Sequence, residues 1–250
     1  MGMETFTETP GSLVQGTVYL VRENIRELSF PLDELLPVLS PEEQQRANWF
    51  RFEDDGLRSR VAWGLLRMFL GRILGREPGS IEFDRSEFQK PLLDGGPSFN
   101  LAHSGDWVLL AVATDGRLGV DVEAPRPLQG LDDLAATVFS ADELLELRAL
   151  PEPERLRAFY RGWTRKEAFV KAIGGGLSVP LKQFAVSLAP DVVEALLWVE
   201  LPSETRGSWC VRPLPDMPDG LGAVAWDRAL GEVQWVHPAS LLGNRPRGQQ

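Results

Sequence analysis

Two stretches about a hundred residues apart run in the same order: a helical pattern carrying a tryptophan, a glycine stop, a short link and a strand-like run. The first is WGLLRMFLGRILG followed by SIEF, and the second is WTRKEAFVKAIGG followed by KQFAV, with Trp63 and Trp163 in matching places. A helix and a strand that each have an apolar face must bury those faces, and the stable solution is a layered one. The expected fold is therefore α+β, with two similar half-domains, each a helix packed on a small antiparallel sheet. The halves are expected at 1–115 and 116–240, joined through 114–118, with 241–250 as a flexible tail.

Local signals support this plan. GTVYLV (16–21) reads as a first strand. SPEEQQRANWF opens with Ser40, Pro41 and Glu43, a capping box with proline in the first turn. A second helix is expected from about Asp54 to Leu74, stopped by Gly75. Strands are expected at 81–83, 98–101, 107–113 and 117–123. SADELLEL carries a second capping box, Ser140 with Glu143, and a long helix follows from Glu152 to Ile173, ended by three glycines. QFAVSL, LLWVEL, SWCVRPL and LGAVAW are four more strand candidates between turn residues.

At 250 residues, with 43% hydrophobic and 25% charged side chains, the chain can build a sizeable core. Its formal net charge of −10 argues against a general nucleic-acid binder, which needs a basic face. Charge is uneven, however. Arg46, Arg51, Arg58, Arg60, Arg67, Arg72 and Arg76 fall within one stretch, where an anion can be held, while 132–154 is mostly acidic. The single cysteine, Cys210, excludes an intrachain disulfide and fits a reducing compartment. The polar, acidic N-terminus lacks signal-peptide character and no apolar run reaches a spanning length, so a cytoplasmic protein without membrane contact is expected.

RLGVDVEA (117–124) sets two acids into an apolar strand. Leu118, Val120 and Val122 alternate with Gly119, Asp121 and Glu123, so both carboxylates share one face. Carboxylates so placed repel, and burial raises the cost. In RGWTRKEAFVKA, Trp163, Glu167 and Lys171 recur every fourth residue on one helix face, and the tryptophan suggests that this face meets protein. Asp121, Glu123 and Glu167 together offer oxygen ligands only. With just two histidines and one cysteine in the chain, the pattern suits a hard cation, Mg²⁺ or Mn²⁺, completed by substrate phosphates. The competing reading pairs these acids with Arg or Lys, or leaves them on a solvated sheet face.

GVDVE followed by WTRKEAFVKA resembles the paired signature of the surfactin-type 4′-phosphopantetheinyl transferases. FNLAHSG with WVLLAVA, FQKP at 88–91, the basic helix from Arg46 to Arg58 and GLSVPLKQFAV agree with that family in order and spacing, over residues 40 to 190. The resemblance implies an enzyme that moves the phosphopantetheine arm of coenzyme A onto a serine of an apo acyl or peptidyl carrier protein. It implies Mg²⁺ on Asp121, Glu123 and Glu167, and Lys171 as a second catalytic group on the diphosphate. Glu167 or a water on the metal takes the serine proton. Arg46, Arg58, Lys90, His103, Ser104 and Lys166 are the implied coenzyme A-binding residues, with the 3′-phosphate and adenine on the N-terminal half. Two positions depart from the family: Ala102 stands where many members carry serine, and Gln89 where glycine is common. A monomer is implied.

Two other classes remain open: a non-catalytic carrier- or coenzyme A-binding protein of this fold, and a Mg²⁺-dependent coenzyme A hydrolase. The stretch 125–145, PRPLQGLDDLAATVFSADELL, mixes apolar and charged residues and reads either as carrier-docking surface or as buried interface.

Overall fold

The computed structural model describes residues 6–215, 217–227 and 232–242. In chain order it forms β1 (Phe6–Thr7), β2 (Thr17–Asn24), α1 (Pro41–Trp49), α2 (Glu53–Leu74), β3 (Asp84–Arg85), β4 (Pro91–Leu92), β5 (Ser98–Ser104) and β6 (Trp107–Ala113). There follow β7 (Leu118–Glu123), α3 (Leu131–Val138), α4 (Ala141–Ala149), α5 (Glu152–Ile173), β8 (Phe184–Val186), β9 (Leu196–Val199), β10 (Cys210–Pro213), β11 (Leu221–Trp226), β12 (Glu232–Val236) and α6 (Pro238–Leu242). Both capping boxes form: Ser40 and Ser140 accept from the backbones of Glu43 and Glu143, whose carboxylates reach back to the serine N–H groups. Gly75 and Gly174 stop α2 and α5 in the left-handed conformation, at φ 62° and 82°. Among the described helices none is long and apolar enough to cross a membrane.

Among the described residues, 6–84, 91–115 and 232–242 form one unit, and 85–90 with 116–227 form the other. In the first, α2 buries Val61, Leu65, Leu66, Phe69 and Leu70 with Tyr19, Val21, Phe99, Val108, Leu110 and Val112 of the sheet. Each such side chain contributes about 1.5–3 kcal/mol by leaving water. The sheet order is β1-β12-β2-β6-β5. The strands β2, β6 and β5 are antiparallel, as expected, but β12 runs parallel to both β1 and β2. Residues 232–240 thus belong to the first unit and not to the C-terminal half, and the first sheet is mixed. Residues 241–242 end α6, and the rest of the expected tail, 243–250, lies outside the described residues.

The repeat seen in the sequence holds for the helices and their stops, and fails for one strand. Residues 81–83 form no ladder. The buried Arg67 guanidinium takes the Pro78 and Ile81 carbonyls at 3.0 and 2.9 Å, while its other nitrogens hold Glu43 at 2.7 and 3.0 Å. The Ile81 carbonyl is thus taken by a side chain and its N–H by the Pro78 carbonyl, so neither serves a ladder. Arg67, counted above among the arginines able to hold an anion, is a structural pin at 3% exposure.

In the second unit, β10, β11 and β7 form an antiparallel sheet, and β8 pairs with β9. Phe169 of α5 lies between Phe184 and Trp209, with ring centroids 4.7 and 4.8 Å away. Strand β7 crosses α5 at Gly119, where a Cβ would overlap the Ala168 carbonyl oxygen and the Ala172 nitrogen. Backbone meets backbone here, so neither side can yield by changing rotamer. Gly119→Ala is expected to lower unfolding free energy by about 3 kcal/mol in urea titration; a loss under about 1 kcal/mol would show that the strand can shift at no cost.

Candidate active site

Gly119 faces α5, so the period of two brings Asp121 and Glu123 to the same face. The strand climbs as the helix descends. Asp121 Oδ1 accepts from Lys171 Nζ at 2.7 Å, and Glu123 Oε1 accepts from Trp163 Nε1 at 3.1 Å. The stripe of Trp163, Glu167 and Lys171 therefore meets the acidic strand along its length. Trp163, stacked on Phe159 with rings 11° from parallel, orients Glu123. The sequence put this indole on the right face, but a hydrogen bond between residues 40 apart has no local signal.

Asp121 is 6% exposed, and its Oδ2 is buried without a hydrogen-bond partner. Burial pushes its carboxyl up to about 7; Lys171 opposes the shift, and Glu123 and Glu167 add to it. Glu167 is also raised, by burial first, with Lys171 opposing and Glu123 adding. The three carboxylates thus feel one another as like charges. In this protein alone, the cation beside Asp121 is Lys171. Among the described residues no three His, Cys, Asp or Glu side chains close around a single point as a metal cage. A few-carboxylate site that phosphate oxygens complete needs no closed cage. The oxygen-only donor set and the orphaned Oδ2 fit a hard cation of that open kind.

Lys166 is the clearest correction. It is fully buried, and its ammonium donates to the Leu181 and Phe184 carbonyls at 2.7 Å each and pairs with Glu143 at 2.8 Å. Glu143 is equally buried and also accepts from the Ser140 and Val186 N–H groups. A lysine has three donors, and all are committed, so Lys166 is no coenzyme A ligand. One position from Glu167 on a helix means pointing about 100° away, into the core. Lys90 also differs from expectation, since its ammonium holds two backbone carbonyls, Leu118 at 2.8 Å and Lys171 at 2.7 Å.

In the first unit, His103 and Ser104 end β5, just before the turn at Gly105. His103 is exposed. Arg58 of α2 donates to the Gly105 carbonyl and pairs with Asp55, so Arg58 and the His103–Ser104 turn are brought together. Arg46 stays on α1, 45% exposed, with Glu42 at 3.5 Å one turn back. Within 125–145, Ala135, Val138 and Phe139 are buried with Phe159 and Tyr160 of α5, while Leu134 and Leu145 are exposed at 38% and 67%. The stretch is partly core and partly surface.

Residues 117–216 match the 4′-phosphopantetheinyl transferase superfamily, and residues 30–115 match the N-terminal region of 4′-phosphopantetheinyl transferase. The chain is similar to the 4′-phosphopantetheinyl transferase HetI of Nostoc sp., 36% identical over 219 residues, covering 86% of this chain and 89% of that protein. It is 34% identical to a phosphopantetheinyl transferase of Thraustochytrium sp. over 194 residues, 71% of this chain and 67% of that one. The 4′-phosphopantetheinyl transferase Sfp of Bacillus subtilis is 33% identical over 171 residues, 68% and 71% of the two chains.

Proposed function

The chain belongs to the 4′-phosphopantetheinyl transferase superfamily, and from that premise we propose that it transfers the 4′-phosphopantetheine arm of coenzyme A to a serine of an apo acyl or peptidyl carrier protein. The carrier serine oxygen bonds to the β-phosphorus as the bond to adenosine 3′,5′-bisphosphate breaks. We further assign it to the surfactin type, with the coenzyme A 3′-phosphate and adenine side in the N-terminal half and the carrier side in the C-terminal half.

The observation that carries this reading is Asp121: a buried carboxylate with one orphaned oxygen, on a face shared with Glu123 and opposed to Glu167. Asp121, Glu123 and Glu167 are the groups to hold Mg²⁺ or Mn²⁺. When bound, such an ion polarises the diphosphate and neutralises charge on the departing phosphate. Lys171 lies against the same carboxylate and is the chain's own cation for the diphosphate. Phosphoryl-type transfer depends chiefly on positioning and charge stabilisation, which such groups supply. Glu167, or a water that the ion would hold, is the group to take the serine proton. A reducing, cytoplasmic setting is supported by the single cysteine, and a monomer by two half-domains in one chain.

His103, with Ser104, Arg58 and Arg46, is assigned to the 3′-phosphate. His103→Ala is expected to weaken coenzyme A binding about tenfold, the value of one charge-assisted hydrogen bond; calorimetric affinity equal to wild type removes His103 from the pocket. The reaction is tested by following adenosine 3′,5′-bisphosphate in the presence and absence of apo carrier. Release that requires carrier is the expected result, and equal release without carrier makes the protein a hydrolase.

A further inference from the structure

Residues 85–90 belong to the second unit and are shaped to deliver one ammonium. The Ser86 N–H donates to the Lys90 carbonyl at 2.9 Å, and the Lys90 N–H donates to Ser86 Oγ at 3.1 Å. Gln89 closes the turn in the left-handed region at φ 62°, a conformation costing a non-glycine residue about 1 kcal/mol.

From this turn Lys90 Nζ reaches the Leu118 and Lys171 carbonyls, at 2.8 and 2.7 Å. Lys171 lies in the last turn of α5, where carbonyls lack an intrahelical N–H partner. A cation there satisfies one of them and meets the negative end of the helix dipole. Leu118 is the first residue of β7. The ammonium thus ties helix end to strand start beside Gly119, where the two backbones touch. The Lys171 side chain then extends onto Asp121.

The surroundings of Lys90 favour donation over charge balance. Burial, then Lys171 and Arg117, push its pKa down to about 8, and only Asp227 works the other way. Two of the three ammonium donors are already committed to main chain.

We propose that Lys90 is a positioning residue that holds the end of α5 against the start of β7 and thereby keeps Lys171 on Asp121. Its kinetic consequence rests on the transferase reading; its structural consequence does not. The test compares wild type, Lys90→Met and Lys90→Arg by hydrogen exchange and by steady-state transfer kinetics. Lys90→Met is expected to speed exchange in peptides spanning 118–123 and 168–174. It is expected to lower kcat about tenfold, as loss of a supporting hydrogen bond typically does, with KM for coenzyme A unchanged. Lys90→Arg, which keeps charge and donors, is expected to retain kcat within about threefold and decides the matter if Lys90→Met does not fold.

A tenfold rise in KM for coenzyme A at constant kcat, in either variant, makes Lys90 a ligand contact and overturns the proposal. Unchanged exchange and kinetics in Lys90→Met overturn it too. If wild type itself transfers nothing, the transferase reading falls, and the exchange comparison still decides whether Lys90 ties strand to helix.

Discussion

Asp121→Asn is expected to reduce kcat/KM by about three orders of magnitude, since roughly 4 kcal/mol of charge stabilisation is lost with the carboxylate. The fold should survive, because the amide has the same shape and removes a buried charge. Its pH dependence is distinctive. The folded Asp121 carboxyl titrates at about 7, above its ordinary 3.8, so without metal the fold binds this proton more tightly than the unfolded chain does. Its contribution to stability is full below about 4 and is lost as pH rises through about 7. Thermal unfolding of the metal-free protein should fall over that window in wild type, and less steeply in Asp121→Asn. Mg²⁺ favours the ionised carboxylate, so it should stabilise wild type more at pH 8 than at pH 6. Near-normal turnover in Asp121→Asn, with an unchanged pH slope, would remove Asp121 from the site.

Lys166→Met is expected to destabilise the protein by about 3–5 kcal/mol, the usual cost of leaving one member of a buried ion pair alone. Lys166 and Glu143 are both fully buried, and the ammonium lies 4.3 Å from the Phe184 ring centroid. Burial lowers the lysine's pKa while Glu143 opposes the shift, so the pair stands or falls together. The double variant Lys166→Met with Glu143→Gln should cost less than the two single variants summed, since no unpaired charge remains, although an amide cannot accept from both the Ser140 and Val186 N–H groups as the carboxylate does. Urea titration of both single variants and the double reads the coupling directly. A single-variant cost under about 1 kcal/mol, or strict additivity, would contradict the pairing.

What the sequence made legible was local or strictly periodic. The serine–glutamate capping boxes act across three residues, and the glycine stops act within one turn. The spacing of Asp121 and Glu123, and of Trp163, Glu167 and Lys171, assigns each set to one face before any contact is known. What the sequence concealed depends on partners far along the chain. Strand β12 joins the first sheet beside a strand some 215 residues earlier. The expected strand at 81–83 yields its carbonyl to Arg67. Lys166 looked like a neighbour of the site because it precedes Glu167, yet its partner is hidden as the second half of a capping box at Glu143. Helix α3 is hard to read from sequence because it spans only eight residues and opens on Gly130, with no side-chain cap to mark its start.

The central claim is that the acidic face of β7, with Glu167 and Lys171 of α5, performs metal-dependent transfer of the phosphopantetheine arm. Intact-protein mass spectrometry of an apo carrier, incubated with this protein and coenzyme A, tests it most directly. The account predicts that the carrier gains the mass of one phosphopantetheine on its serine when Mg²⁺ is present, and gains none when the ion is chelated. A carrier that binds without changing mass in Mg²⁺, or that is modified equally well after chelation, would contradict it.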